Sequence, residues 1–231
     1  MKKIHKKYIL LILLFGYLHV SSQTLISEVD TSRIEFLKVK EYLKNQQLNG
    51  LVTFDDIKPS VLPDDLVEGY HIIDREFVVK DSLENVWFDY LNTTLQETWN
   101  SNTLHLALCY SRSNDSIYYA NDEVQRIIPG LIVYLDLKLL FGVKLAMAFE
   151  VTKIDEENKL IEFSYLEGNV THGKQQLFFE QTPKGKTKIA HLSYYKSNSK
   201  ARDKLYPLMH ARLINKFHRN LKEVNNEIYK E

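Results

Sequence analysis

Apolar positions recur at helical spacing over the last thirty residues and at strand spacing through the middle of the chain. With Phe217 set at zero and about 100° added per residue, Tyr206, His210, Leu213, Ile214, Leu221, Val224 and Ile228 all fall within about 60° of it. Arg212, Lys216, Arg219, Asn220 and Lys222 fall towards the flanks and back. Pro207 suits a first helical position, where a missing N–H leaves nothing unbonded. The pattern predicts a helix over about 207–229, on the order of 33 Å long at about 1.5 Å per residue. Its stripe needs a broad apolar surface to bury it.

Tyr70–Val79 alternates, with Ile73, Arg75, Phe77 and Val79 on one face of a strand. Asp81 and Glu84 have capping-box spacing. Leu83, Val86, Trp87, Tyr90 and Leu91 then predict a short helix over 82–92. Leu104–Tyr110 and Ser116–Ala120 read as strands around the polar turn Ser113-Asn114-Asp115. Beyond the break at Pro129-Gly130, Leu131–Leu140 fits either strand or helix. Lys144–Ile154 pairs with Lys159–Leu166 across an acidic turn, and Lys174–Gln181 with Lys186–Tyr195 across Thr182-Pro183-Lys184-Gly185. Two hairpins in succession make an antiparallel meander. Strand, short helices, meander and long terminal helix form an α+β order, with helices on one face of an antiparallel sheet.

The first 68 residues follow a different pattern. Lys2, Lys3, Lys6 and Lys7 precede the apolar run Tyr8–Val20, and Val20-Ser21-Ser22 offers small residues for cleavage, so residues 1–22 read as a secretory signal. The apolar run is shorter than the roughly 20 residues a spanning helix needs. Residues 23–68 read as a helical and linker segment preceding the main domain at 69–231. Its helix is capped by Asp30 or Thr31, presents Ile34, Leu37 and Tyr42 or Leu43 on one side, and stops at Asn49-Gly50. Pro59, Pro63 and the doublets Asp55-Asp56 and Asp64-Asp65 mark a solvated linker that packs on the main domain.

Composition narrows the function classes. Without residues 1–22 the chain keeps 26 basic against 30 acidic residues, a balance that argues against nucleic acid as a partner. Cys109 is the only cysteine, so no internal disulfide forms, and its apolar neighbours mark it as an inert core thiol. His172, His191, His210 and His218 show no zinc-ligand spacing. No zincin motif, nucleophile elbow or dinucleotide fingerprint occurs. The Gly185-Lys186-Thr187 run lacks the leading glycine of a phosphate-binding loop, because Glu180 stands there. No metal or other cofactor is expected. The basic run Lys196, Lys200, Arg202 and Lys204 reads as a solvated loop, with membrane contact at most transient.

Three stretches carry a family resemblance: "REFVVKDSLENVWFDYL", the hairpins "KLIEFSYLEGNVTHGKQQLFFEQTPKGKTKIAHLSYY", and the closing "RDKLYPLMHARLINKFHRNL". In order and pattern, Tyr70–Asn220 resembles the START-like superfamily of polyketide cyclases and lipid-transport proteins. The resemblance implies a helix-grip fold, in which a curved antiparallel β-sheet wraps a long C-terminal α-helix and short helices follow the first strand. It also implies a hydrophobic pocket between sheet and helix that holds a lipid or other hydrophobic small molecule.

Strand parity and helical angle supply the candidate ligand-binding residues. Ile189, His191, Ser193 and Tyr195 share a face of the last strand, and Phe179 shares one with Leu177 and Gln175. Phe163 and Tyr165 share another with Ile161. Arg75 and Phe77 enter from the first strand, and His210 and Phe217 from the helix. If the helix grips the sheet, His191, Tyr195 and His210 converge, with Arg75 reaching in. The alternatives for this set are an enzyme of the cyclase or hydratase type, with His191 or His210 as general acid/base, and an interaction module whose core is filled. On the binding reading, a bulky substitution such as Ser193→Phe abolishes uptake.

Overall fold

A computed structural model describes residues 23–122, 124, 126–139 and 142–228. The predicted signal segment lies outside the described residues, as does the side chain of Ile228 in the predicted stripe.

The strands are β1 (His71–Val79), β2 (Leu104–Ser111), β3 (Ser116–Tyr119), β4 (Leu131–Lys138), β5 (Lys144–Asp155), β6 (Leu160–Tyr165), β7 (Thr171–Gln181) and β8 (Thr187–Ser197). Among the described residues they form one curved antiparallel sheet in the order β1-β8-β7-β6-β5-β4-β2-β3. Register shifts at Leu106/Leu108 and at Val151/Lys153 put an extra residue into one strand, which bends it and tightens the local twist. The helices are α1 (Leu37–Leu48), α2 (Leu83–Asn92), α3 (Leu95–Thr98) and α4 (Lys200–Ile228).

The sheet has a core on each face. On the inner face Phe217 and Leu221 of α4 and Val86, Trp87 and Tyr90 of α2 meet Val133, Phe149, Phe163, Phe179 and Ile189. On the outer face, Ile26, Ile34, Val39, Leu43, Phe54 and Ile57 of the N-terminal segment meet Leu108, Tyr110, Ile132 and Tyr134. At about 25 cal/mol per Å² of apolar surface removed from water, that second layer contributes to stability much as a core does. Two cations add polar ties to it. Arg112 donates to the carbonyls of Phe54 (2.9 Å) and Ile57 (2.6 Å) and to the carboxylates of Asp55 (2.8 Å) and Glu150 (3.1 Å). The buried Lys174 donates to the carbonyl of Pro63 (2.6 Å) and pairs with Glu162 at 3.4 Å. Gly173 lies where the segment crosses the sheet: its φ is +145°, and a Cβ there would stand 1.8 Å from the Tyr194 carbonyl oxygen. Ser60 Oγ accepts its N–H at 3.1 Å.

Several local expectations need correcting. Ser82 caps α2 by accepting the Asn85 N–H, while Asp81 accepts the Ser82 N–H and Glu84 turns away to pair with Lys159. Asp30 caps only a short 3-10 turn at Thr31–Arg33. The helix proper starts at Leu37, which is exposed, and it buries Val39, Leu43 and Gln46. Leu131–Lys138, which the sequence left open between strand and helix, is a strand.

The long helix begins at Lys200, so Pro207 lies inside it. A proline there has no N–H to give the carbonyl four residues back, which belongs to Asp203. The Tyr195 hydroxyl donates to that carbonyl instead, at 3.3 Å. Asn220, on the flank of the predicted stripe, is buried and donates to the carbonyls of Thr98 and Asn100, both at 3.0 Å.

Candidate functional site

The site is built where the inner faces of β6, β7 and β8 meet the first half of α4. Side chains alternate along a strand, and β8 turns Ile189, His191, Ser193 and Tyr195 inward while the residues between them are less buried. Gln175 of β7 lies opposite Ser193. Tyr206 and His210 are four residues apart on α4 and so share a face; their rings stack at 5.0 Å. Tyr195 stacks on the other side of Tyr206 at 3.9 Å.

A chain of hydrogen bonds runs through this cluster. Tyr90 Oη lies 2.6 Å from His218 Nδ1, and His218 Nε2 lies 2.9 Å from His191 Nδ1. The Gln175 amide oxygen is 2.7 Å from His191 Nε2 and 2.9 Å from His210 Nε2. Gln175 donates from its amide nitrogen to Tyr165 Oη at 2.8 Å, Tyr165 meets Tyr206 at 2.6 Å, and Tyr206 meets Ser193 at 3.2 Å.

Burial fixes the charge state of the rings. Desolvation, reinforced by the positive charge of Arg75, pushes His191 down to about 3. Desolvation holds His210 and His218 well below the ordinary imidazole value, and each is lowered further by its histidine neighbours. All three rings are therefore neutral near pH 7. A neutral imidazole has one N–H and one lone pair, and this sets the direction of the bonds among the rings. The amide oxygen accepts from His191 Nε2, so His191 Nδ1 accepts from His218 Nε2 and His218 Nδ1 accepts from the Tyr90 hydroxyl. Tyr165 accepts from the amide, and one hydrogen is shared between the Tyr165 and Tyr206 hydroxyls and one between Tyr206 and Ser193. Burial also raises Tyr165 to about 12, so the phenols stay protonated.

Beside the cluster is a cavity of about 410 Å³. Leu137 of β4, Leu145 and Met147 of β5, and Leu205 and Met209 of α4 supply apolar lining, and Tyr165, Asn169, Thr171, Ser199, Tyr206 and His210 supply polar lining. Arg202 lies exposed at its edge. A second recess of about 300 Å³ lies at the far end of the hydrogen-bonded chain, walled by Phe77, Val79, Tyr90 and His218.

Of the ten candidates read from the sequence, the structure places Tyr165 and His210 in the cavity wall and His191 directly behind it. Tyr195 and Ser193 back Tyr206 without lining the cavity. A Ser193→Phe substitution would therefore push on Tyr206 inside the core rather than plug the cavity. Arg75 pairs in register with His191, and its buried Nε has no partner. Phe77 stacks on His218 at 3.8 Å. Phe163, Phe179 and Phe217 are core residues: Phe179 packs edge-on against Trp87 and Tyr90, and Phe217 lies tilted against Trp99 at 4.5 Å. Tyr206, Gln175, His218 and the wall of Leu137, Leu145, Met147 and Met209 were not among the candidates. Tyr206 was already legible in the helical stripe, and Gln175 by strand parity. Cys109 is buried and its thiol is raised to about 12, chiefly by desolvation. Among the described residues, no group of three or more His, Cys, Asp or Glu side chains is arranged to hold a metal ion.

No protein-family model matches the sequence, and comparison with curated proteins gives no match. Solved structures do match. Norcoclaurine synthase from Thalictrum flavum, in complex with dopamine and hydroxybenzaldehyde, superposes with a TM-score of 0.51 at 13% identity, over 70% of this chain and 89% of that one. A point mutant of the same enzyme with a transition-state analogue gives 0.50 at 15% identity, over 68% and 95%. With the strand order and the long terminal helix, these matches show that the chain has the helix-grip fold of START-like proteins.

Proposed function

We propose that this protein binds a hydrophobic small molecule, of lipid or comparable apolar character, in the cavity between the sheet and the first half of α4. The observation that carries the reading is the 410 Å³ space itself, lined mostly by apolar side chains with a few polar groups, Tyr165, Tyr206 and His210 among them. Small-molecule sites are concave and mostly apolar, with a few placed polar groups. Burial of ligand surface supplies most of the affinity before the costs of binding, and the polar wall sets orientation. Norcoclaurine synthase, which shares the fold, is seen with two small aromatic compounds, so this architecture accommodates such ligands. An open cavity speaks against a filled-core interaction module. The reading includes export, supported by the basic start and thirteen-residue apolar run of the first 22 residues.

The test has two arms. Native mass spectrometry of the protein from its own compartment should show an added mass that is lost on denaturation. Purified protein should take up the apolar dye phenylnaphthylamine, and Met147→Trp, which grows into the cavity, should cut that uptake at least tenfold. A clean unliganded mass, with no uptake of the dye or of anything from a mixed lipid extract, would sink the proposal.

A further inference from the structure

We infer that the outer side of α4, from Lys200 to Arg219, docks reversibly on an anionic lipid surface and turns the mouth of the cavity towards it. Lys200, Arg202 and Lys204 belong to the first turns of this helix rather than to a loop, and Arg212, Lys216 and Arg219 continue the series. Five of these six cations are exposed and Lys216 is half-buried, and none has a carboxylate partner among the described residues. The one acid of the stretch, Asp203, faces His71 at 3.8 Å. Residues 23–231 outside this stretch carry 20 basic against 29 acidic side chains. Positive charge is thus segregated onto one helix of a chain that is acidic elsewhere.

Leu205 and Leu208 stand among the cations, about 120° and 180° round the helix from Phe217, and each is more than half exposed. Leu205 also lines the cavity, as do the exposed Val143 and Val170, so it joins this apolar patch to the mouth. Exposed apolar side chains gathered beside a concave site mark an interaction surface. An acidic protein tail would pair with the cations and leave the leucines in water. The interface of a bilayer takes both: phosphates meet the cations while the leucines reach the acyl boundary. Each Lys or Arg near such a surface adds about fivefold in affinity, and salt screens the attraction, which keeps docking reversible. No helix among the described residues is long and apolar enough to cross a membrane; the contact is with the surface. A ligand leaving through a mouth pressed to the bilayer would not cross water. That consequence rests on the cavity being a ligand site, as proposed above, whereas the docking itself does not.

Co-sedimentation of the purified protein with vesicles is the test. Phosphatidylcholine with about a quarter phosphatidylglycerol should bind it about tenfold or more tightly than phosphatidylcholine alone, and the preference should fade in about 0.5 M salt. Lys204→Glu with Arg212→Glu reverses two exposed cations that do not line the cavity. It should cut binding to the anionic vesicles about tenfold or more, with dye uptake and circular dichroism as in the native protein. Leu208→Ser should weaken the same binding about fivefold. No binding to the anionic vesicles, equal binding to both compositions, or full binding by the charge-reversed protein would each overturn the inference. Anionic binding that Leu208→Ser leaves untouched would overturn it too, in favour of an acidic macromolecule recognised by charge alone. If the native protein takes up no apolar compound, the proposed function fails, and the vesicle comparison still decides the docking.

Discussion

Lowering the pH from 7 to 5 asks three buried rings, His191, His210 and His218, to stay neutral in the folded chain while they gain protons in the unfolded one. An unfolded histidine titrates near 6.5; His191 is held down to about 3 by desolvation and Arg75, and the other two lie well below the ordinary value. The folded pKa lies under the unfolded one, so stability is whole above about pH 6.5 and is lost as the pH falls from there towards 3. Linkage puts the loss at about 2 kcal/mol at pH 5 for His191, and His210 and His218 add to it in the same direction. A typical domain has only about 5–15 kcal/mol to lose. Urea unfolding followed by tryptophan fluorescence at the two pH values measures the difference. His210→Phe should shrink it, because one ring that resists protonation is removed. Imidazole proton shifts report the rings directly, and any of the three titrating between about pH 6 and 7 in the folded protein would refute the argument.

Further outcomes follow from the ties and substitutions described. Arg112→Ala should destabilise the protein by about 3 kcal/mol, because it leaves Glu150 buried without its cation; hydrogen exchange should quicken across residues 54–61 ahead of the inner core. Tyr195→Phe should cost about 1 kcal/mol by stripping the Asp203 carbonyl of its donor. Pro207→Ala restores a backbone N–H beneath that carbonyl, so in its presence the cost of Tyr195→Phe should largely vanish. A double-mutant cycle on unfolding free energies reads this coupling, and additive costs would refute the link.

The sequence is most informative where only one face of an element is buried. β8 keeps strict alternation because its other face is half-solvated, and His191, Ser193 and Tyr195 could be placed from parity alone. Leu131–Lys138 loses that signal: seven of its eight residues are buried, with Val133 and Leu135 in the inner core and Ile132 and Tyr134 under the N-terminal segment. A strand covered on both faces has no periodicity left to read. His218 stands about 100° round the helix from Phe217, outside the expected stripe, yet Phe77 of β1 and Tyr90 of α2 close over it. A helix gripped by a curved sheet buries more of its circumference than one lying on a flat surface. Pro207 misplaced the helix start because its tolerance depends on a hydroxyl from another strand, a tertiary fact with no local trace. The cavity wall drew on Leu145, Met147 and Met209, which sequence alone cannot distinguish from core residues.

Gln175 constrains proton transfer through this fold. The hydrogen-bonded chain from Tyr90 to Ser193 joins a surface recess to the main cavity; an imidazole passes a proton by taking one at one nitrogen and releasing one at the other, and a phenol does both at its oxygen. An amide does not do this without giving up its amide form. The chain is thus a conductor with an insulator at its midpoint, and a proton arriving at His218 stops at His191. Acid–base traffic in the cavity would have to go through its own mouth, while the seven side chains behind it act as a fixed array of dipoles.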